Sequence, residues 1–136
     1  MYRNILVAYD ESPGARAALD RAEALGSALG ATLTLVRSVS EGPLTEGAKP
    51  DTVASARAAL GREMNRYRPE LEADLWVIGG PVGEAILAAA VEMGADLIVA
   101  GSRQRGPIAR TMLGSVSTDL VNHASCDVLI VHPLED

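Results

Sequence analysis

At 136 residues the chain has room for one compact domain with a genuine core, and no stretch of it reads as an interdomain linker, so residues 1–136 are expected to form a single domain. Eighteen acidic against 12 basic residues leave a net charge of −6, which disfavours a polynucleotide partner, and Lys49 is the only lysine, which excludes a phosphate loop of the Gly-Lys-Ser/Thr type. Hydrophobic residues make up 48% but aromatics only 3%, so the core must be built from Ala, Leu, Val and Ile; the lone Cys126 forms no internal disulfide, and no apolar run approaches the roughly 20 residues of a membrane helix.

Residues 3–9 are a short apolar run containing Ile5 and Val7, bounded by the turn-like Asp10-Glu11-Ser12-Pro13-Gly14, and make strand 1. Because the chain enters this strand directly, a cytoplasmic, non-membrane protein is expected. Ser12 suits an N-cap with Pro13 at the first helical position, and Ala15, Ala18, Leu19, Ala22, Leu25 and Leu29 recur at helical spacing until Gly30 closes helix 1. Residues 32–39 alternate and are rich in β-branched side chains, giving strand 2. Residues 40–50 hold two glycines and two prolines without periodicity, a long connection that reads as a ligand cover.

Val53, Ala56, Leu60, Met64 and Tyr67 mark helix 2, which Pro69 stops, and residues 74–78 make strand 3. Gly79-Gly80-Pro81 is a turn; Ile86, Ala89, Ala90 and Met93 give helix 3, ended by Gly94; residues 97–100 are strand 4. After strand 4 comes a glycine-punctuated loop from Gly101 with Arg103, Arg105 and Arg110, leading to helix 4, which opens at Gly114-Ser115 and ends near His123. Small residues allow close backbone approach and a helix N-terminus offers free N–H donors, so this stretch outlines an anion site. Residues 127–131 are strand 5.

Five strands alternating with four helices call for a parallel sheet covered on both faces, because right-handed crossovers place the helices there; the class is doubly wound α/β. Ligands of such sheets lie beyond the carboxyl ends of the strands where strand order reverses. With strands 1 and 4 flanking that point, the Tyr9-Asp10 turn and the Gly101 loop share one site.

Over nearly its whole length the chain resembles the universal stress protein family. The resemblance is carried by the opening Asn4-Ile-Leu-Val-Ala-Tyr-Asp-Glu-Ser12, by Gly83-Glu-Ala-Ile-Leu87, by Gly94-Ala-Asp-Leu-Ile-Val-Ala-Gly-Ser-Arg103, and by Leu113-Gly-Ser-Val-Ser117 through His123-Ala-Ser-Cys-Asp-Val-Leu-Ile-Val131. It implies a Rossmann-like sheet in the order 3-2-1-4-5 and a homodimer through the last strand, here Asp127, Val128, Leu129, Ile130 and Val131. ATP-binding members carry Gly-x-x-Gly, nine residues, then Gly-Ser/Thr. Gly101, Gly114 and Ser115 match in register, whereas Gln104 takes the second glycine's place and Gly106 follows two positions later. The implied ligand is ATP (or AMP or ADP) with Mg²⁺. By resemblance, Ala8 and Asp10 stand at the tip of strand 1, with Asp10 near the ribose or a phosphate-bound metal, and Val39 near the base. Gly114, Ser115, Val116 and Ser117 meet the phosphates, and Arg103, Gln104 and Gly106 belong to the loop beside them.

The remaining candidates read as structural. His123 near the end of helix 4 complements the helix dipole, His132 is similar, Cys126 is a small buried residue, and Trp76 packs in strand 3. Gly-x-Ser-x-Gly is absent, no strand-end Ser/His/Asp set assembles, and no general base or transition-state lysine stands out. The expected function is therefore an ATP-binding regulatory or stress-response domain with at most slow hydrolysis. Its alternative is a nucleotide-free, dimeric interaction protein of the same fold, in which Gln104 closes the pocket and the strand 5 edge is the functional surface.

Overall fold

The structure, a computed structural model, describes residues 1–10, 12–39, 50–102 and 114–133. Its elements run β1 (Asn4–Ala8), α1 (Pro13–Leu29), β2 (Thr32–Val39), α2 (Pro50–Tyr67), β3 (Asp74–Gly79), α3 (Val82–Met93), β4 (Leu97–Gly101), α4 (Ser115–His123) and β5 (Asp127–Val131). The sheet has the order β3-β2-β1-β4-β5 with every pairing parallel, the doubly wound α/β arrangement expected. β1 lies between β2 and β4, so strand order reverses beside it.

Successive strand residues point to opposite faces. Ile5 and Val7 of β1 join Leu19, Leu35, Leu60 and Val99 beneath α1 and α2, while Leu6 joins Val36, Ile86, Ile98 and Leu120 beneath α3 and α4. Both faces are covered, which is why β1 is continuously apolar rather than alternating, with Ile5, Leu6 and Val7 all fully buried. Each such side chain contributes roughly 1.5–3 kcal/mol of hydrophobic stabilisation. Gly14, Ala15, Ala18, Ala22 and Gly26 make most of the buried stripe of α1, so the helix sits close to the sheet without aromatic filling.

Local chemistry sets the ends. Ser12 caps α1, its Oγ accepting the Ala15 N–H at 3.1 Å, and Gly30 stops the helix at φ 70°. β1 is shorter than residues 3–9. At its start the Asp96 carboxylate accepts the Arg3 and Asn4 N–H groups at 2.8 and 3.1 Å, and at its end the Tyr9 N–H still reaches the Val36 carbonyl at 3.0 Å. α2 opens at Pro50, ahead of the periodic Val53, and α3 opens at Val82, ahead of Ile86. β3 and β4 each run one residue further, to Gly79 and Gly101. The expected ligand-cover loop lies, Pro50 apart, outside the described residues.

α1 and α2 are joined by long polar side chains. Arg16 pairs with the buried Glu63 at 2.8 Å and lies over the Tyr67 ring at 5.1 Å; Arg68 pairs with Glu23 at 2.8 Å and also with Asp20, which accepts from the Tyr67 hydroxyl at 3.2 Å. The Tyr9 hydroxyl, and after it Glu63, holds the Arg16 guanidinium above the ordinary arginine range. Burial, then Asp20, raises the Tyr67 phenol. Among the described residues no helix is long and apolar enough to cross a membrane.

Candidate ligand-binding cleft

A cavity of about 260 Å³ opens at the carboxyl ends of β1, β2 and β4. Its base is apolar, from Ala8, Val36 and Ala100 at the strand tips and Val82 and Ile86 on α3. On the α1 side stand Tyr9, Asp10, Ser12 and Ala15; β2 adds Arg37 and Ser38. Gly101 and the first turn of α4, from Gly114 to Ser117, close the opposite end.

Two glycines hold the walls together. A Cβ on Gly101 would stand 2.2 Å from the Gly14 carbonyl carbon and oxygen, and a Cβ on Gly14 would stand 2.7 Å from the Ser102 carbonyl oxygen. Only a side-chain-free backbone fits at either position, so the β1–α1 turn and the end of β4 touch directly. Gly83 brings α3 close to α4, where its Cβ would stand 2.9 Å from Oδ2 of the Asp119 side chain.

Gly114 is the N-cap of α4 and supplies no side-chain cap; the helix's own bonding begins with the Thr118 N–H on the Gly114 carbonyl at 2.9 Å. The N–H groups of Ser115, Val116 and Ser117 therefore have no intrahelical acceptor. These residues line the cavity, so free donors and the positive end of the helix dipole stand at its edge. Asp10 is exposed, and its Oδ1 accepts the Ser12 N–H at 3.1 Å, which fixes the carboxylate at the start of α1. Arg37 lines the cavity while its Nε and Nη1 are closed off from solvent.

Of the residues singled out from sequence, Ala8, Asp10, Gly101, Gly114, Ser115, Val116 and Ser117 come together around this one cavity. Val39 is not among its lining residues. It ends β2 with its carbonyl accepting the Gly80 N–H at 3.0 Å, and Arg37 and Ser38 stand at the cavity instead. Arg103, Gln104, Gly106, Arg105 and Arg110 lie outside the described residues. The Tyr9-Asp10 turn stands at the cavity as expected, whereas sequence reasoning missed Arg37, Ser38 and the α3 pair Val82 and Ile86. The rule that ligands lie at strand carboxyl ends, applied to β2, would have found Arg37 and Ser38. The α3 pair is spaced i, i+4 on one helix face, a signal indistinguishable from core packing.

A Ser/His pair that sequence reasoning did not foresee stands behind the cleft: Ser102 Oγ and His132 Nδ1 are 2.9 Å apart, and the Ser102 N–H donates to the Val131 carbonyl at 2.9 Å. Ser102 is 5% exposed and not a lining residue, so the pair braces the tips of β4 and β5 rather than presenting a nucleophile. His123 Nδ1 meets the Asp119 carbonyl at 3.1 Å in the last turn of α4, the dipole-complementing position expected. Cys126 is partly buried, and burial, then Asp127, pushes its thiol up. Trp76 packs against the α3–α4 core. Among the described residues no group of three or more His, Cys, Asp or Glu side chains is arranged to hold a metal.

The sequence profile of the universal stress protein family matches residues 1–132. A Thermus aquaticus protein, the universal stress protein in the QAH/OAS sulfhydrylase 3′ region, is 36% identical over 138 residues, covering 96% of this chain and 99% of its own. A putative universal stress protein of Staphylococcus aureus is 31% identical over 98% of this chain and 86% of its own. Among solved structures, a universal stress protein in complex with cAMP superposes with a TM-score of 0.76 at 26% identity, covering 98% of this chain and 99% of that one. The Archaeoglobus fulgidus universal stress protein in complex with dAMP gives a TM-score of 0.67 at 28% identity, over 95% of this chain and 97% of that one.

Proposed function

The chain belongs to the universal stress protein family, and from that premise we propose that its cleft binds an adenine nucleotide, ATP or its mono- or diphosphate, as a regulatory domain with little or no turnover. The observation that carries the proposal is the uncapped first turn of α4 facing the cavity, where the amides of Ser115, Val116 and Ser117 lack acceptors within the helix. Relatives of this fold in complex with cAMP and dAMP support the adenosine part of the reading.

The residues present fit a magnesium nucleotide. Mg²⁺ keeps several waters and takes one or two carboxylates alongside substrate phosphates, so Asp10 suffices as its single protein ligand. When bound, the ion neutralises phosphate charge. The polar side chains described around the cavity are Tyr9, Asp10, Ser12, Arg37, Ser38, Ser115 and Ser117, which lack the positioned lysine or general base that rapid phosphoryl transfer uses. The nucleotide then acts as a signal of metabolic or stress state. The same reading makes the protein a single-domain cytoplasmic homodimer paired through the exposed edge of β5.

Titration calorimetry with ATP and Mg²⁺ tests the proposal against a Gly114→Val variant. Among the described residues a Cβ at Gly114 meets nothing within 4 Å, so the fold should survive while a branched side chain occupies the mouth of the cavity. The variant should fold and lose binding; retained affinity would remove the site assignment.

A further inference from the structure

We propose that α2 is a hinged helix, in which residues 50–61 open as a separate unit while the last turns stay fixed to the domain, and that Gly61 is the hinge. Helices in proteins keep their shape chiefly by packing an apolar face. The buried residues of α1 run from Gly14 to Gly26 and those of α3 from Gly83 to Ala90, so both helices are anchored along most of their length. α2 is anchored unevenly. None of residues 52–59 is buried, which leaves Leu60 as the one fully buried side chain described in its first three turns. The last turns bury Glu63 and Met64 and carry the polar bridge to α1, where Glu63 accepts from Arg16 at 2.8 Å and the Tyr67 hydroxyl donates to Asp20 at 3.2 Å.

The boundary between the two parts falls at a glycine that packing does not explain. Among the described residues, helices hold glycine at Gly14, Gly26, Gly61 and Gly83. A Cβ would stand 2.7 Å from the Ser102 carbonyl oxygen at Gly14, 3.3 Å from the Leu33 side chain at Gly26 and 2.9 Å from Asp119 at Gly83, so close approach accounts for those three. At Gly61 a Cβ would meet nothing described within 4 Å, and Gly61 is not among the described glycines with positive φ. Neither space nor backbone conformation calls for glycine there, and glycine inside a helix favours unwinding relative to alanine. The least helix-favouring residue of α2 after Pro50 thus directly follows the single anchor of its first three turns. α2 joins the parallel strands β2 and β3, so it runs opposite to them and its amino end stands at the carboxyl end of the sheet, the end at which the cavity opens. Opening of residues 50–61 changes that end of the molecule while β1, α1 and the last turns of α2 hold, a cooperative local opening below global unfolding.

The test is native-state amide exchange followed by NMR on the full chain, on Gly61→Ala, and on Ile98→Val, which removes one methylene from the core beneath α3 and α4. In the wild type the amides of residues 54–60 should open at least about ten-fold more readily than those of residues 66–68 and of β1. Gly61→Ala should slow residues 54–60 about five-fold, because alanine favours the helical state that opening destroys. Ile98→Val should speed β1 and residues 66–68 by roughly two- to ten-fold and leave residues 54–60 unchanged, because a unit that opens by itself does not expose Ile98. Residues 54–60 that exchange in step with β1 in all three proteins overturn the inference, and so does a Gly61→Ala chain in which they exchange as in the wild type. Should Gly61→Ala not fold, Ile98→Val decides alone.

Discussion

At the scale of single residues, the cleft depends on positions where a side chain is missing. Gly101 and Gly114 were legible because they fall in a spaced motif, but the role of Gly14 was not, because it is set by contact with a strand far away in sequence. Gly101→Ala would drive a Cβ to 2.2 Å from the Gly14 backbone, which cannot yield as a flexible side chain would. It should destabilise the fold by about 3 kcal/mol in urea denaturation, and unchanged stability would contradict the close approach. Titrating groups make separate tests. The Tyr2 hydroxyl donates to Asp127 at 2.6 Å, and that bond is the main reason its phenol is raised. A folded-state pKa raised above the unfolded value leaves the stabilisation intact below the ordinary tyrosine pKa of about 10 and removes it as pH climbs beyond. Thermal melts between neutral pH and strong alkali should show a shallower alkaline loss for Tyr2→Phe, with Tyr67 supplying a loss of the same sign that remains. Cys126, pushed up mainly by burial, should react with a disulfide reagent at neutral pH more slowly than free cysteine does; a rate at or above the free thiol's would contradict its partial burial.

At the scale of elements, helix and strand identity was legible throughout, because the apolar spacing switches cleanly between helical and extended periods. Ends were less so. Gly80 at φ 120° and Pro81 at the N-cap launch α3 directly, so a Gly-Gly-Pro sequence that reads as a turn is also a helix start. The polar bridge between α1 and α2 was invisible in sequence, since Arg16 and Glu63 carry no local pattern that pairs them. Glu63 is buried and accepts from the Arg16 guanidinium at 2.8 Å, so Arg16→Met should lower the melting temperature by stranding the carboxylate. Replacing both residues, Arg16→Met with Glu63→Leu, should recover much of the loss; a double variant as unstable as the sum of the singles would mean the pair is not coupled.

At the scale of the whole molecule, strand order and site position follow from one another. β1 and β4 sit side by side where the order reverses, so the Tyr9-Asp10 turn, Gly101 and the first turn of α4 line one cavity. Sequence reading placed the β2 contribution at Val39, whereas Arg37 and Ser38 line the cavity, and it read the apolar spacing of α3 as core packing although Val82 and Ile86 also wall the cavity. Gln104 separates the two functional readings. If its side chain blocks the cavity, Gln104→Gly should raise ATP affinity, and no change would mean an already open cavity.

The most direct measurement is to purify the protein without added nucleotide, denature it, and identify any released small molecule by chromatography and mass spectrometry, then titrate ATP and Mg²⁺ into the emptied protein. Expected is a stoichiometric adenine nucleotide or, failing retention through purification, a saturable heat of binding that Gly114→Val abolishes. An empty extract followed by no heat of binding would contradict the nucleotide-binding reading and leave the β5 edge as the surface to pursue.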